Sequence, residues 1–191
     1  MNISLSIIIP VWNEESIIQK TSSFLKKLRL PFRYSELIFV AGGEDNTYNI
    51  SKKMKFENFD EVLVLRQNTK DFKSGALIKG IKESKGDIIT IVDADTIVTP
   101  NFMIEVVQAL KKCDVVNCDF IPILRKGFWY DYYIANKLIW AKNSNNLSSL
   151  FGAATISIKR GVFNKIGIEN FFTDKTTAGV DYFMGIILKN N

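Results

Sequence analysis

The sequence contains no histidine, two cysteines and four prolines, and no apolar stretch approaches the ~20 residues needed to span a bilayer. Without histidine there is no Ser-His-Asp or Cys-His catalysis and no histidine metal site, so a general base is expected to be a carboxylate. Cys113 and Cys118 form no C-x-x-C and have no second pair to complete a metal site. That predicts two reduced, partly buried thiols. Low-complexity tracts, internal repeats and a basic-then-apolar leader are also missing, so no linker or disordered arm stands out and a cytoplasmic chain is expected.

What is present suits one substantial core. A chain of 191 residues with 47% hydrophobic content is too short for two ordinary domains and predicts a single one. The net charge is +5, but the lysines are dispersed along the chain. Dispersed lysines describe a solvated surface, and no nucleic-acid partner is expected.

Ser4 to Ile9 reads as a strand, closed by Pro10-Val11-Trp12, after which Asn13 is placed to cap a helix with Glu14 and Glu15 in its first turn. Leu37 to Val40 and Val62 to Leu65 are the next strands. Between them Ala41 to Thr47 forms a glycine-containing turn, with Asp45 placed to cap the segment after it. A polar loop from Arg66 to Phe72 leads into a helix from Lys73, stopped by Gly86. Ile88 to Val92 is a fourth strand, Pro100 to Lys112 a helix and Val115 to Phe120 a fifth strand. Alternation of this kind predicts a mostly parallel sheet, with the loops after the first, second and fourth strands sharing one cleft.

Asp93-Ala94-Asp95 leaves the end of the fourth strand. A buried strand holds its backbone rigidly, so both carboxylates emerge where open α/β sheets bind ligands. Such a pair suits a hard divalent cation facing a diphosphate, although acidic residues also end strands as solvated turn formers.

The order of these segments resembles the family-2 glycosyltransferases, the inverting group with the GT-A fold. Ser6-Ile7-Ile8-Ile9-Pro10-Val11-Trp12-Asn13-Glu14-Glu15 is similar to the opening strand and nucleotide loop, with Trp12 at the usual tyrosine. Gly86-Asp87-Ile88-Ile89 through Asp93-Ala94-Asp95-Thr96 to Pro100-Asn101-Phe102 is similar to the metal-binding segment, and Lys73-Ser74-Gly75-Ala76-Leu77 to the G-K-G-x-A-L element between them. The resemblance runs from about Ser4 to Leu188 and implies an α/β fold: a single GT-A (Rossmann-like) domain, its mostly parallel sheet flanked by helices. Residues 1–112 would form the nucleotide-binding half and 113–191 the acceptor-binding half.

It further implies a nucleoside-diphosphate sugar donor, with Pro10, Val11, Trp12, Glu14, Gly42, Lys73, Asp93 and Ala94 around the nucleotide. Asp95 and Asp93 would hold Mn2+ or Mg2+. Each residue has a plainer reading: Trp12 as a core anchor, Glu14 as a first-turn acid, Lys73 as a solvated helix-start lysine. Two segments depart from the family pattern. Gly42-Gly43-Glu44-Asp45-Asn46-Thr47 lacks the aspartate that reads the base, and Val180-Asp181 replaces a Glu-Asp pair. Asp181 is the candidate base, its other reading being a helix cap before an apolar helix from Val180 to Leu188. A catalytically degenerate sugar-nucleotide or glycan binder is the alternative reading.

The acceptor is expected to be a glycan or lipid-linked. Lys126 to Lys142 reads as an aromatic helix, either core or with one face that covers the cleft or rests on a membrane interface, toward a lipid-linked or amphipathic acceptor. In the second case Phe128 to Trp140 would make a peripheral contact at the inner face of the membrane. Gly152-Ala153-Ala154 resembles the small-residue wall beside sugar and acceptor, and Arg160 the arginine that follows it, or else a surface ion pair. Ala154 to Ile158 is expected as a strand and Arg160 to Ile166 as a short helix. A homo-oligomer is compatible with all of this.

Overall fold

The computed structural model describes residues 1–118, 123, 126–143 and 154–172, without the side chains of 71 and 136–143. In chain order the elements are β1 (Ser4–Trp12), α1 (Ile18–Leu25), β2 (Tyr34–Gly42), α2 (Thr47–Lys53) and β3 (Glu61–Arg66). A 3-10 turn (Thr69–Asp71), α3 (Phe72–Glu83), β4 (Ile88–Val92), α4 (Phe102–Leu110) and β5 (Val115–Cys118) come next. The chain continues through α5 (Phe128–Asn143), β6 (Thr155–Lys159), α6 (Arg160–Ile166) and α7 (Ile168–Phe171).

The six strands form one sheet in the order β3-β2-β1-β4-β6-β5. The first four pair in parallel, as alternation with helices predicts. β6 departs from this: it inserts between β4 and β5, antiparallel to both. Its carboxyl end therefore lies at the edge of the sheet opposite to the ends of β1 and β4.

Apolar side chains alternate along β1 between two cores. Leu5, Ile7, Ile9 and Val11 pack on one face with Ile18 and Leu25 of α1 and Met103, Val106 and Val107 of α4. Ile8, Ile38, Val40 and Ile91 pack on the other with Ala76, Leu77 and Ile81 of α3 and Phe163 and Phe171. A strand apolar on both faces is what a helix-covered parallel sheet requires, and each fully buried isoleucine contributes ~1.5–3 kcal/mol. Pro10 lies past Ile8, where β1 has left β4 and pairs only with β2, so its missing N–H falls on a one-sided part of the strand.

The amino-terminal edge of the sheet is laced by polar groups. Asp87 accepts from Ser4 N and Ser4 Oγ at 2.9 and 2.7 Å, and its own N–H donates to Ser4 Oγ at 3.0 Å. Glu36, fully buried, accepts from Ser6 Oγ at 2.6 Å, from Tyr34 at 3.2 Å and from the Lys85 N–H. A methyl group on Gly86 would stand 2.4 Å from Ser6 N, so the chain entering β4 passes β1 with no room for a side chain.

Several boundaries differ from the sequence reading. Asn13 does not cap α1, which starts at Ile18 after a turn in which Ile17 N and Ile18 N donate to Glu14 O. Asn13 adopts φ 56° and its Oδ1 accepts from Glu44 N at 2.8 Å, binding the loop after β1 to the loop after β2. α4 begins at Phe102 rather than Pro100, and α7 was not expected. Both cysteines are free, but Cys113 is exposed rather than partly buried. The Val180 to Leu188 helix lies outside the described residues.

Candidate active site

A cleft of about 520 Å³ opens where β1 and β4 end side by side. The strand order reverses at this point, β2 and β3 lying to one side of β1 and β4 to the other. Pro10, Val11, Trp12, Glu14, Lys73, Asp93, Ala94 and Asp95 all line it. Eight of the nine residues expected around the nucleotide and cation thus face one space. Gly42 lines an adjoining cavity of about 500 Å³ with Gly43, Asp45, Tyr48, Arg66 and Lys70. Trp12, Gln67 and Thr69 border both cavities and so stand between them.

Trp12 is the last residue of β1, in register with Gly42 at the end of β2. It is half-buried, which fits a ring with one face on protein and one toward the cleft better than a core anchor. Glu14 lies in the turn before α1, and its N–H donates to Thr47 Oγ1 at 2.8 Å. Burial pushes the Glu14 carboxyl up, with Asp95 and then Asp45 adding repulsion. Glu15 and Asp45 complete the lacing between the loops: Glu15 N donates to Asp45 Oδ2 at 3.1 Å and Asn46 N to Glu15 Oε2 at 2.9 Å. Asp45 also takes Thr47 N at 3.0 Å and so orders the start of α2.

Asp93 leaves β4 with its N–H donating to Ala154 O at 2.9 Å and its carbonyl accepting from Thr96 N at 3.0 Å. The small-residue segment therefore ends against the acidic motif, although Gly152 and Ala153 lie outside the described residues. Lys73, in the first turn of α3, reaches across the cleft to Asp93 Oδ1 at 2.6 Å. It is a paired residue within the site and not merely a solvated one. Desolvation holds the Asp93 carboxyl above the ordinary aspartate range, Lys73 pulling against this and Asp95 adding to it. Asp95 is exposed at the mouth. Among the described residues no group of three or more histidine, cysteine, aspartate or glutamate side chains could hold a metal ion. Two neighbouring carboxylates fit a cation that draws its other ligands from water and a diphosphate.

The sequence reading missed Gln67. Its N–H continues the β3–β2 pairing to Ala41 O at 2.8 Å, and its Nε2 donates to Phe72 O at 2.9 Å. Phe72 has φ 49°, so this bond fixes the unusual backbone from which α3 departs. The Gln67 Oε1 is buried and has no partner among the described residues. No sequence pattern marks it, since it is a lone glutamine after Arg66, the exposed last residue of β3. In the adjoining cavity the Arg66 guanidinium stacks on Tyr48, 4.9 Å from the ring centre.

Arg160 is a correction. It lies at the opposite edge of the sheet, where Nε donates to Gly86 O at 2.6 Å and Nη2 to Ser84 O and Oγ at 2.9 Å. Because β6 runs antiparallel, the residue after it cannot face the cleft. Asp181 lies outside the described residues.

A mostly parallel sheet flanked by helices, with an acidic pair at its switch point, defines the GT-A type of α/β fold. The chain belongs to glycosyl transferase family 2, which it matches over residues 6–167. A probable glycosyltransferase of Sulfolobus acidocaldarius is 33% identical over 132 residues, covering 68% of this chain and 28% of that protein. Among solved structures, the mannosyltransferase PcManGT of Pyrobaculum calidifontis, in complex with GDP-Man and Mn2+, superposes with a TM-score of 0.69. It is 17% identical and the match covers 98% of this chain and 52% of that one. S. aureus TarS 1-349 in complex with UDP-GlcNAc gives 0.65 at 14% identity, covering 96% of this chain and 52% of that one. The chain spans about a quarter to a third of the length of the curated relatives it matches.

Proposed function

We propose that the cleft binds a nucleoside-diphosphate sugar and that the protein transfers the sugar, with inversion, to a hydroxyl acceptor. One observation carries this reading: Trp12, Glu14, Lys73, Asp93 and Asp95 converge on a single cleft at the switch point of a family-2 chain. Each has a task that its chemistry suits. Trp12 offers a flat face for the base, Glu14 and Asp93 accept from ribose hydroxyls, and Lys73 offers three donors to the diphosphate. A divalent ion, Mn2+ or Mg2+, held by Asp95 and Asp93 would supply Lewis-acid neutralisation of the departing diphosphate. Solved complexes of similar fold with GDP-Man and Mn2+ and with UDP-GlcNAc support this donor class.

In the transfer itself the acceptor oxygen bonds to the anomeric carbon as the bond from that carbon to the diphosphate oxygen breaks. The acceptor proton passes to a base, for which we put forward Asp181. Ala154, whose carbonyl accepts from the Asp93 N–H, would leave room for the sugar beside Asp93.

A lipid-linked or amphipathic acceptor is supported by α5, where Phe128, Trp129 and Tyr132 are 72, 78 and 57% exposed. They pack on one another, with centroids 5.3 to 6.3 Å apart, rather than into the core. Exposed aromatics beside Lys126 suit a membrane interface. No helix among the described residues is long and apolar enough to cross a membrane.

Calorimetry with UDP, GDP and their sugars, with and without Mn2+ or Mg2+, tests the reading. Cation-dependent binding of one nucleotide is expected, and failure of all of them at millimolar concentration overturns it. Binding with no subsequent transfer to any hydroxyl acceptor would favour a degenerate binder, the reading that the altered Gly42-Gly43 loop suggests.

A further inference from the structure

The Lys73–Asp93 ion pair occupies a carboxylate that a cation would need. Its members are 34% and 29% exposed, so the pair is neither sealed in the core nor free in solvent. Lys73 is the only cation among the described residues lining the cleft, against Glu14, Asp93 and Asp95. Asp95 lies close enough to repel the charged forms of both Glu14 and Asp93. With Lys73 in place, part of that repulsion is neutralised by the chain itself.

We propose that Lys73 is an internal stand-in for the divalent cation, holding Asp93 until cation and diphosphate arrive together. A cation arriving alone meets an ammonium already seated on one of its two carboxylates, and must either displace it or lie beside a like charge. A cation arriving with a diphosphate brings the ammonium a new anion. Lysine is a point charge on a flexible stem, so its Nζ transfers from Asp93 to a phosphate oxygen while its backbone stays fixed in α3. Asp93 then passes to the ribose and cation. Lys73 thereby opposes cation binding in the empty cleft and supports nucleotide binding in the filled one. The cation and the nucleotide are coupled, each raising affinity for the other by the same factor. This role rests on the donor site proposed above, but its first test needs no nucleotide.

The experiment is Mn2+ binding, monitored by electron paramagnetic resonance, on wild type and Lys73→Met without nucleotide, then UDP and GDP binding at saturating Mn2+. Lys73→Met keeps the stem and removes the charge. Expected is a several-fold to ~10-fold gain in affinity for Mn2+ alone, together with a ~10-fold or larger loss in nucleotide affinity. Lys73→Arg, which keeps the charge, should bind Mn2+ alone as weakly as wild type and serves if Lys73→Met fails to fold. Unchanged or weaker Mn2+ binding by Lys73→Met overturns the stand-in role, as does tighter Mn2+ binding by Lys73→Arg. If wild type binds neither nucleotide at any Mn2+ concentration, the donor reading fails, while the Mn2+-only comparison still decides the role of Lys73.

Discussion

The indole of Trp12 lies directly against Gly42, its register partner across the parallel β1–β2 pair. A methyl group there would stand 2.7 Å from Trp12 Cζ3 and 2.7 Å from the Gln67 carbonyl oxygen. The ring at the head of the cleft is thus seated on backbone that only glycine leaves open. Trp12 uses the space that Gly42 leaves at the end of β2. Gly42→Ala should therefore displace the indole and lower stability by about 1–3 kcal/mol through overpacking. Tryptophan fluorescence and nucleotide titration check this: an unshifted spectrum with unchanged affinity would show that Trp12 is not seated by Gly42.

Trp12→Ala should weaken nucleotide binding by ~1–3 kcal/mol if the ring stacks on the base. Stacking tolerates any base, so UDP and GDP should lose affinity together. A thermal melt separates the outcomes, since loss of the fold with no selective loss of affinity would mark a packing residue.

Much of this site was legible in the sequence because parallel strands with both faces buried announce themselves as continuous apolar runs. Ile88 to Val92 ends at the expected residue, and Asp93 and Asp95 come directly after it. Turn chemistry was less readable. Asn13 before two glutamates has the pattern of a helix cap, yet its carboxamide is taken by Glu44 N from the next loop, a partner 31 residues away. The direction of β6 was hidden for the same reason. The alternating strand Thr155-Ile156-Ser157-Ile158-Lys159 reads identically in either direction, and the position of Arg160 depended on that direction. Gln67 was passed over because a lone glutamine carries no pattern, and its importance lies in one bond to Phe72.

Arg160→Ala should reduce stability by about 1.5–3 kcal/mol, because a half-buried guanidinium bonds two main-chain carbonyls and Ser84 Oγ in the turn before β4. Nucleotide affinity of the folded fraction should not change. Urea unfolding combined with calorimetry distinguishes the two. A loss of affinity without loss of stability would place Arg160 at the cleft after all.

Asp87 gives the amino-terminal edge a pH dependence of known sign. Hydrogen bonds from the Ser4 hydroxyl and N–H hold its carboxyl below the usual aspartate range, with Arg33 and Arg160 assisting. A depressed folded-state pKa means that the contribution is complete above the unfolded-state pKa and is lost as pH falls through the folded one. Asp87→Asn should therefore cost about 0.5–1.5 kcal/mol at pH 7, the carboxylate being exposed to solvent, and progressively less toward pH 3. Melting curves across that range check it. A deficit that is constant with pH would mean that shape, not charge, sets the Ser4 contact.

The assignment of Asp181 is the one that most needs chemistry to decide it, because it lies outside the described residues and rests on Gly179-Val180-Asp181-Tyr182 resembling the family's base motif. With no histidine in the chain, the proton of the acceptor hydroxyl has few destinations other than a carboxylate. Glu14 and Asp93 carry other tasks in the function proposed above, and Asp93 is paired with Lys73. Asp181→Asn keeps the shape of the side chain and most of its capping ability but cannot accept the proton. Transfer should fall by ~10²–10⁴ while nucleotide affinity stays within a few fold. Asp174→Asn is the parallel control, since it removes the nearest rival acid in sequence. If transfer survives in Asp181→Asn and is lost in Asp174→Asn, the base is Asp174, and the final apolar segment serves the fold rather than the reaction.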